Sequence, residues 1–306
     1  MKRFFHIFAL LSLLLILTQP LQADDGGIKS DSTLTRHALE LRVSAAYAHT
    51  FKRIPVTIGV EEEIRSTMYA KESMQAYVPS SVDLTVNPAV TRTFDPYFKK
   101  SYTTVEVSYK PIKYFSISAG YTLKLLGDKG WSDVNKFLRH RVSVALTGQV
   151  KIRQWKLSLR ERLDIDMRRD SVNSNEKNKT DLTLRHRLHA DYTMRSRPLK
   201  FYTNLELLHT LNAPTTYLNN NRTYKNYYTS TGDNASAKRF GQYITAIRPT
   251  LGLKWRLDKR NTLCFYYTFS YEHDRDINIT KSKQRIEIVR ETEYRHIIGI
   301  AYEFQD

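Results

Sequence analysis

The chain has 306 residues, of which 26% are charged and 41% hydrophobic, and its mean hydropathy is −0.50. This polarity excludes a bundle of membrane-spanning helices, because beyond the N-terminal segment no run approaches the roughly 20 apolar residues that such a helix needs. The net charge is +17 and the pI is near 9.7, values that nucleic-acid-binding proteins share. The basic residues are spread along the chain and not clustered, so we expect no nucleic-acid partner.

The N-terminus predicts export. Lys2 and Arg3 precede an apolar run over 4–17, and the small residue Ala23 follows. This pattern is typical of a secretory signal peptide cleaved after Ala23. Cleavage deletes two basic residues and no acidic one, so the charge falls from +17 to +15. We expect a signal peptide over 1–23, a flexible segment over 24–35 and one folded domain over 36–306.

The single cysteine, Cys264, cannot form an internal disulfide. No cysteine follows the predicted cleavage site directly, so no lipid anchor is expected either. An exported fold of this kind must be held by backbone bonding and packing.

Alternation with a period of two residues dominates the rest of the chain. It is clearest over 181–194, where Leu184 and Leu188 fall on one side and Arg185 and Arg187 on the other. Successive side chains of a strand point to opposite faces, so such a strand has one apolar and one charged wall. In chain order, the alternating segments are 38–47, 56–65, 105–109, 117–125, 138–146, 155–165, 181–194, 201–209, 247–257, 263–271 and 295–304.

The connections between these segments alternate in length. Short ones at 50–55, 110–111, near 152, at 195–198 and at 258–261 take turns with long polar ones at 69–100, 127–136, 169–180, 212–241 and 274–291. Short periplasmic turns and longer extracellular loops give outer-membrane barrels this rhythm. A soluble sheet can also alternate, but many repeats behind an export signal favour an antiparallel transmembrane β-barrel in the outer membrane of a Gram-negative bacterium.

The segments number about eleven, whereas single-chain bacterial barrels normally have an even number of strands. Either a further strand lies within 68–100 or around Thr33, which gives twelve, or the first segment lies outside the barrel, which gives ten. The sequence therefore predicts 10–12 strands, and we favour twelve.

Aromatic residues cluster beside the short turns. They are Tyr109, Tyr114, Phe115, Trp155, Tyr192, Phe201, Trp255, Tyr302 and Phe304. Tyrosine and tryptophan favour the headgroup boundary of a membrane, so this clustering predicts a periplasmic girdle. The alternative is that strands are simply rich in aromatic residues.

The charged wall is expected to face the barrel lumen. The candidate lumen residues are Arg139, Arg141, Arg160, Arg162, Asp164, Asp166, Arg185, Arg187, Asp191, Glu206, Arg248, Lys254, Arg256, Glu272 and Arg295. Two interpretations stay open at this point. The charges form a cross-strand pairing network that fills a polar core, or water threads between them and the basic excess favours small anions.

Three ionisable residues conflict with this pattern. Glu62, Glu161 and His186 fall on the apolar side, where charge is costly in a membrane. A β-bulge that shifts the register, an oligomer contact or protonation could each explain them, and we favour the bulge.

An enzyme and a metal site are not expected. A lipase of the outer membrane would need an outward serine beside a histidine, and His140 and His186 have none, since Ser143 and Ser158 fall on the charged wall. His186 and His189, like His37, His49, His209 and His296, are too scattered for metal ligation, and no cofactor is predicted.

The longest polar segment, 212–240, offers a different function. It carries Tyr217, Tyr224, Tyr227 and Tyr228 among Asn and Thr residues, which could bind a glycan or a protein through aromatic faces. The alternative to an outer-membrane pore is therefore a secreted soluble β-protein that binds a partner through such loops.

Short motifs recur on the predicted strands. They are Val107-Ser108-Tyr109, Ala119-Gly120-Tyr121, Leu138-Arg139-His140-Arg141-Val142, Leu159-Arg160-Glu161-Arg162, Leu184-Arg185-His186-Arg187-Leu188, Leu205-Glu206-Leu207 and Ile298-Gly299-Ile300-Ala301-Tyr302. Together they resemble the uncharacterised outer-membrane family called domain of unknown function 2490. The resemblance implies an outer-membrane β-barrel in contact with lipid, and it implies no activity or ligand residues. Gln305 and Asp306 depart from the aromatic end that many such barrels have.

Overall fold

The structure is a computed structural model, and it describes residues 32–51, 53–76, 98–126, 138–168, 180–211, 243–280 and 285–306. These residues form eleven strands. The strands are β1 (Ser32–Thr50), β2 (Val56–Ala76), β3 (Phe98–Ile112), β4 (Phe115–Leu126), β5 (Leu138–Ile152), β6 (Trp155–Arg168), β7 (Thr180–Thr193), β8 (Leu199–Thr210), β9 (Tyr243–Arg256), β10 (Asn261–Thr280) and β11 (Arg285–Gln305). No helix in the described part of the chain is long and apolar enough to cross a membrane.

The eleven strands close into one barrel. Neighbours in sequence pair antiparallel, and β1 pairs with β11 in parallel from Ser32 beside Val289 to Ala48 beside Gln305. Strands that alternate in direction cannot close an odd-numbered ring without one parallel pair. The parallel pair of β1 and β11 therefore allows the eleven described strands to close into a barrel without a twelfth strand. The predicted barrel is therefore confirmed, and the preference for twelve strands is wrong.

The barrel is apolar outside and polar inside, as the alternation predicts. Val144, Leu251 and Ile300 are 49%, 65% and 44% exposed, whereas Glu40 and Asp164 are fully buried. Leu184 and Leu253 lie on the same outward face as Leu251 and Ile300. The hydrophobic residues therefore do not pack between two stacked sheets.

Several predicted boundaries were wrong. The segments 69–100 and 274–291 were expected to be loops, but β2 runs on to Ala76, β10 to Thr280 and β11 starts at Arg285. Thr33, in the segment expected to be flexible, belongs to β1. The turn expected at 110–111 lies at Lys113 and Tyr114, because β3 continues through Ile112 with a register irregularity.

The extended strands are neighbours around the parallel pair. The four strands β10, β11, β1 and β2 have 19 to 21 residues, whereas the other seven have 12 to 15. On the side of the long connections, the wall is therefore taller at this seam than elsewhere.

Two glycines let tyrosine rings lie flat on the lumen wall. Gly252 is paired with Tyr202, and Gly299 is paired with Tyr266. A Cβ atom at either glycine would overlap the neighbouring tyrosine ring. The two positions need glycine because of this close approach and not because of an unusual backbone angle.

Some predictions fall on residues outside the described ranges. These are the signal peptide 1–23 and the tyrosines of the segment 212–240, namely Tyr217, Tyr224, Tyr227 and Tyr228.

Candidate functional site

Side chains from all eleven strands form a belt around the lumen, which we call the charged belt. Its members are Glu40, Arg42, Glu63, Arg65, Thr67, Tyr102, Lys124, Arg141, Arg162, Asp164, Asp166, Arg185, Glu206, Arg248, Ser270, Glu272, Glu293 and Arg295. Each contact in the belt joins residues of the same or neighbouring strands, with one longer link from β4 to β6. The alternation of the sequence places these residues inside, and the registers of the strands bring them together.

Asp164 is, with Glu40, one of the two most enclosed acceptors of the belt. Its Oδ2 accepts a hydrogen bond from Arg162 Nη2 at 3.0 Å, and it lies 3.3 Å from Arg141 Nη1 and 3.4 Å from Arg185 Nη1. The carboxylate is 1% exposed. An ionised carboxylate at such a site requires paired cations, since the loss of hydration costs several kcal/mol. Three arginines from β5, β6 and β7 supply them.

Three neighbouring contacts extend this cluster. Arg141 forms a forked pair with Asp166, with Nη2 at 2.7 Å from Oδ2 and Nε at 3.1 Å from Oδ1. Lys124 of β4 also donates to Asp166. Arg185 donates from Nη2 to Glu206 of β8 at 2.6 Å. The belt is thereby continuous from β4 to β8.

A second run of ion pairs connects β8 to β1. Arg248 lies 3.9 Å from Glu206 and donates to Glu272 at 2.7 Å. Arg295 lies 3.4 Å from Glu272 and donates to Glu40 at 3.1 Å across the parallel seam. The seam is therefore closed by an ion pair as well as by backbone bonds.

The remaining links pass through polar and aromatic groups. Thr67 of β2 donates to Glu40 at 3.0 Å. The Arg65 guanidinium lies 4.1 Å from the centre of the Tyr102 ring, and Lys124 Nζ lies 5.9 Å from the same ring. Both are cation–π contacts, and they complete the circuit from β1 through β3 to β4.

Four arginines of β6 and β7 stand in directly opposed pairs, and we call them the arginine quartet. Arg160 is opposite Arg187, and Arg162 is opposite Arg185. Like charges at directly opposite positions of two strands are destabilising unless other groups compensate them. The quartet is therefore a concentration of positive charge that the fold must offset elsewhere in the lumen.

The carboxylates of the lumen neutralise the positive charge of the quartet only in part. Arg160 donates to Glu106 of β3 at 2.6 Å and to Ser118 at 3.3 Å. Arg162 and Arg185 share Asp164, and Arg185 also binds Glu206. Arg187 has no ion pair or hydrogen bond with any described residue, although Glu106 and Glu206 attract it from a distance. Four guanidinium groups thus face three contacting carboxylates, and two of these, Asp164 and Glu206, also lie near Arg141 and Arg248 outside the quartet. The quartet therefore keeps an excess of positive charge.

The quartet is not fully enclosed. About a fifth of each contacting side chain is exposed, with 18% for Arg160, 21% for Arg162 and 20% for Arg185. Glu106 is 30% exposed. A residual charge is less costly under these conditions, because partly exposed charges avoid part of the desolvation cost.

The other candidate residues lie apart from the quartet. Asp191 contacts His189 at 2.9 Å, and Lys254 contacts Glu303 at 2.7 Å, both towards the short turns. Arg139 lies on the inward side of β5, and Arg256 is exposed at the end of β9.

Sequence reasoning missed the polar and aromatic members of the belt. Thr67, Tyr102 and Ser270 fall on the inward side of their strands, as does Ser118 beside Arg160, so the two-residue alternation alone would have identified them. Only charged residues were selected, and the cation–π link through Tyr102 was therefore not anticipated.

The three outward ionisable residues are outward in the structure, so the predicted bulge is wrong. The pairing of β6 with β7 runs without irregularity from Trp155 to Met167. Glu161 and His186 stand opposite each other in this ladder and bond through Oε2 and Nδ1. Glu62 accepts hydrogen bonds from the hydroxyls of Ser101 and Thr103.

Two further outward histidines have tyrosine partners. His140 Nδ1 lies 2.6 Å from the Tyr121 hydroxyl, and His296 Nδ1 lies 2.7 Å from the Tyr267 hydroxyl. No group of three or more His, Cys, Asp or Glu residues able to hold a metal ion occurs among the residues described.

Comparison with known proteins gives one family. The family described as "Protein of unknown function (DUF2490)" matches residues 49–281, which is more than half of the chain. No curated protein matches. A solved structure, "NanC porin structure in rhombohedral crystal form", is similar at 14% identity and a TM-score of 0.36, and the match covers 86% of this chain and 98% of that one.

Proposed function

Because this chain belongs to the DUF2490 family, whose description assigns no function, we propose a function from its own residues: it is a narrow outer-membrane pore that favours small anions. The closed β-barrel is the starting point. The membrane, the open path and the anion preference are the parts that we propose.

The height of the apolar outer wall supports insertion in a membrane. On β5, the outward residues Ile152, Leu146, Val144 and Val142 are all exposed by more than a third. At about 3.3 Å per residue and a tilt of about 40°, the rise from Ile152 to Val142 is about 25 Å, the height of the apolar band of outer-membrane barrels. Exposure of this apolar wall to water would be unfavourable, and large exposed apolar surfaces mark sites of contact with a membrane or a partner.

Aromatic side chains support the orientation. Tyr109, Trp155, Phe201, Trp255 and Tyr302 are 41–49% exposed on the outer wall beside the short turns. Rings of this kind settle at a membrane–water boundary. The short turns would then face the periplasm.

The strand number supports a narrow path. Eight-stranded barrels are filled by their side chains, whereas barrels of 16–18 strands leave a wide aqueous channel. Eleven strands lie between these limits, and the charged belt lines the whole circumference. Partial exposure of the belt arginines is consistent with water beside them.

The single observation that carries the anion preference is Arg187. It faces the lumen directly opposite Arg160 and has no ion pair among the described residues. An unpaired cation inside a low-dielectric wall attracts anions and repels cations.

The test is the reversal potential of single channels in a planar bilayer under a KCl gradient. We expect chloride to be favoured, and we expect Arg187→Gln to lower the chloride-to-potassium permeability ratio by about threefold. Arg256→Gln is the matched control, because Arg256 lies exposed at the strand end. Pure protein that inserts without unitary steps, or a ratio unchanged by Arg187→Gln, would contradict the proposal.

Membrane location has its own test. The chain should stay in urea-washed membranes and should migrate differently on gels before and after heating. A chain that washes off would instead support a secreted soluble β-protein.

A further inference from the structure

We infer that Arg160 and Arg187 form a discrete site for one oxyanion group, a phosphate or a carboxylate, and not only a diffuse positive field. This inference deepens the proposed function and rests on it for access of the solute. It assigns a ligand chemistry to two particular residues.

The register places the two arginines side by side on the lumen wall. Arg160 and Arg187 are directly paired on β6 and β7, and the Cβ atoms of such cross-strand neighbours are about 4.5–5.5 Å apart. Two long side chains that start so close and share a face can reach the same anion. Without an anion between them, they repel each other.

The site already holds one carboxylate. Glu106 reaches Arg160 from β3, across two intervening strands, through a single contact at 2.6 Å. It is also the most exposed of the carboxylates that contact the quartet, at 30% against 15% for Glu206 and 1% for Asp164. Glu106 therefore acts as a built-in ligand that an incoming oxyanion can replace or join.

Unused donors remain at the site. The Nε of Arg160 is buried and has no hydrogen-bond acceptor among the described residues. Arg187 has no acceptor there either, because Glu206, its neighbour in the β7–β8 ladder, is occupied by Arg185 and lies near Arg248. A buried donor without an acceptor, such as Arg160 Nε, is unfavourable, and a bound oxyanion would satisfy it.

The chemistry of the donors selects the ligand. A guanidinium group offers two parallel N–H donors that match two oxygens on one carbon or phosphorus. A chloride ion is a single atom and cannot accept both parallel N–H donors of a guanidinium group in the way that two oxygens can. The site should therefore distinguish oxyanions from chloride, whereas the net charge of the lumen cannot.

The experiment measures block of the chloride current through single channels of the full-length barrel by added phosphate and, separately, by acetate. We expect one of the two to reduce the current at millimolar concentration. Phosphate as the stronger blocker indicates a phosphorylated solute, and acetate as the stronger indicates an organic acid. If neither blocks, the inference is overturned.

Arg187→Lys separates the inference from the proposed function. Lysine keeps the charge and loses the fork, so we expect chloride preference to stay and oxyanion block to weaken by about tenfold. Arg256→Lys is the control. Block as strong as in the wild type in Arg187→Lys overturns the oxyanion site and leaves the anion-favouring pore intact.

Glu106→Gln provides a test in the opposite direction, which a folding defect cannot imitate. Removing the competing carboxylate should strengthen phosphate or acetate binding several-fold, measured by calorimetry on detergent-solubilised protein. Unchanged or weaker binding would overturn the inference. Because calorimetry needs no current, binding without conductance would contradict only the pore.

Discussion

Glu161 and His186 are direct cross-strand neighbours on the outward face of β6 and β7, and they bond to each other with side chains that are 14% and 8% exposed. At a tilt of about 40°, Glu161 lies about 15 Å above Trp155, well inside the apolar band. A mutual pair therefore replaces the bulge that the sequence suggested as the solution for these charges.

This pair gives the first prediction. His186→Leu should destabilise the barrel by about 3 kcal/mol, because it leaves Glu161 without its partner on an apolar wall. The double variant Glu161→Leu with His186→Leu should recover that loss, since no charge remains to be desolvated. Urea unfolding of the protein in lipid vesicles measures both, and a double variant as unstable as the single one would contradict the explanation.

The second prediction concerns Asp164. Asp164→Asn should cost about 3–5 kcal/mol, because Arg141, Arg162 and Arg185 would lose their shared enclosed carboxylate. Glu303→Gln is the matched control, since Glu303 is 41% exposed, and it should cost about 1 kcal/mol or less. Equal losses of stability for the two variants in the same unfolding assay would show that the enclosure of Asp164 does not contribute to stability.

The third prediction concerns close packing of tyrosine on glycine. Gly299→Ala should cost about 1–3 kcal/mol, because the new methyl group overlaps the Tyr266 ring. Adding Tyr266→Ala removes the overlap, so the alanine at 299 should then cost much less. Gly59→Ala serves as the control, since a Cβ there makes only ordinary contacts of 3.7 Å or more. A cost at 299 that persists without the ring would refute the close-packing account.

The fourth prediction tests closure by the parallel pair. Ser44 and Ala301 are register neighbours on β1 and β11. Cysteines at both positions, in a Cys264→Ala background, should form a disulfide, because directly paired strand residues have Cα atoms within disulfide range. The crosslink is read from gel mobility with and without reductant. Ser44→Cys alone is the control, and failure of the double variant to crosslink would indicate that another strand separates β1 from β11.

Much of the fold could be predicted because alternation is a local property. In a strand such as 181–194, the alternation alone assigns each residue to one of two faces, whatever the neighbouring strands are. The inward position of Arg185 and Arg187 and the outward position of Leu184 could therefore be predicted directly. The segment 274–291 failed because its charged residues obscured alternating isoleucines such as Ile277 and Ile279. These isoleucines continue β10 beyond the predicted end.

The sequence by itself determined that this chain forms a barrel with an apolar outside and a charged inside, because a two-residue period fixes the sides of every strand. Only the tertiary structure decided how many strands close the ring, that β1 and β11 meet in parallel, and which charges become partners. Those outcomes depend on the offset between neighbouring strands. A shift of two residues would keep Arg187 in the lumen and remove it from Arg160, so no local pattern could have revealed the arginine quartet.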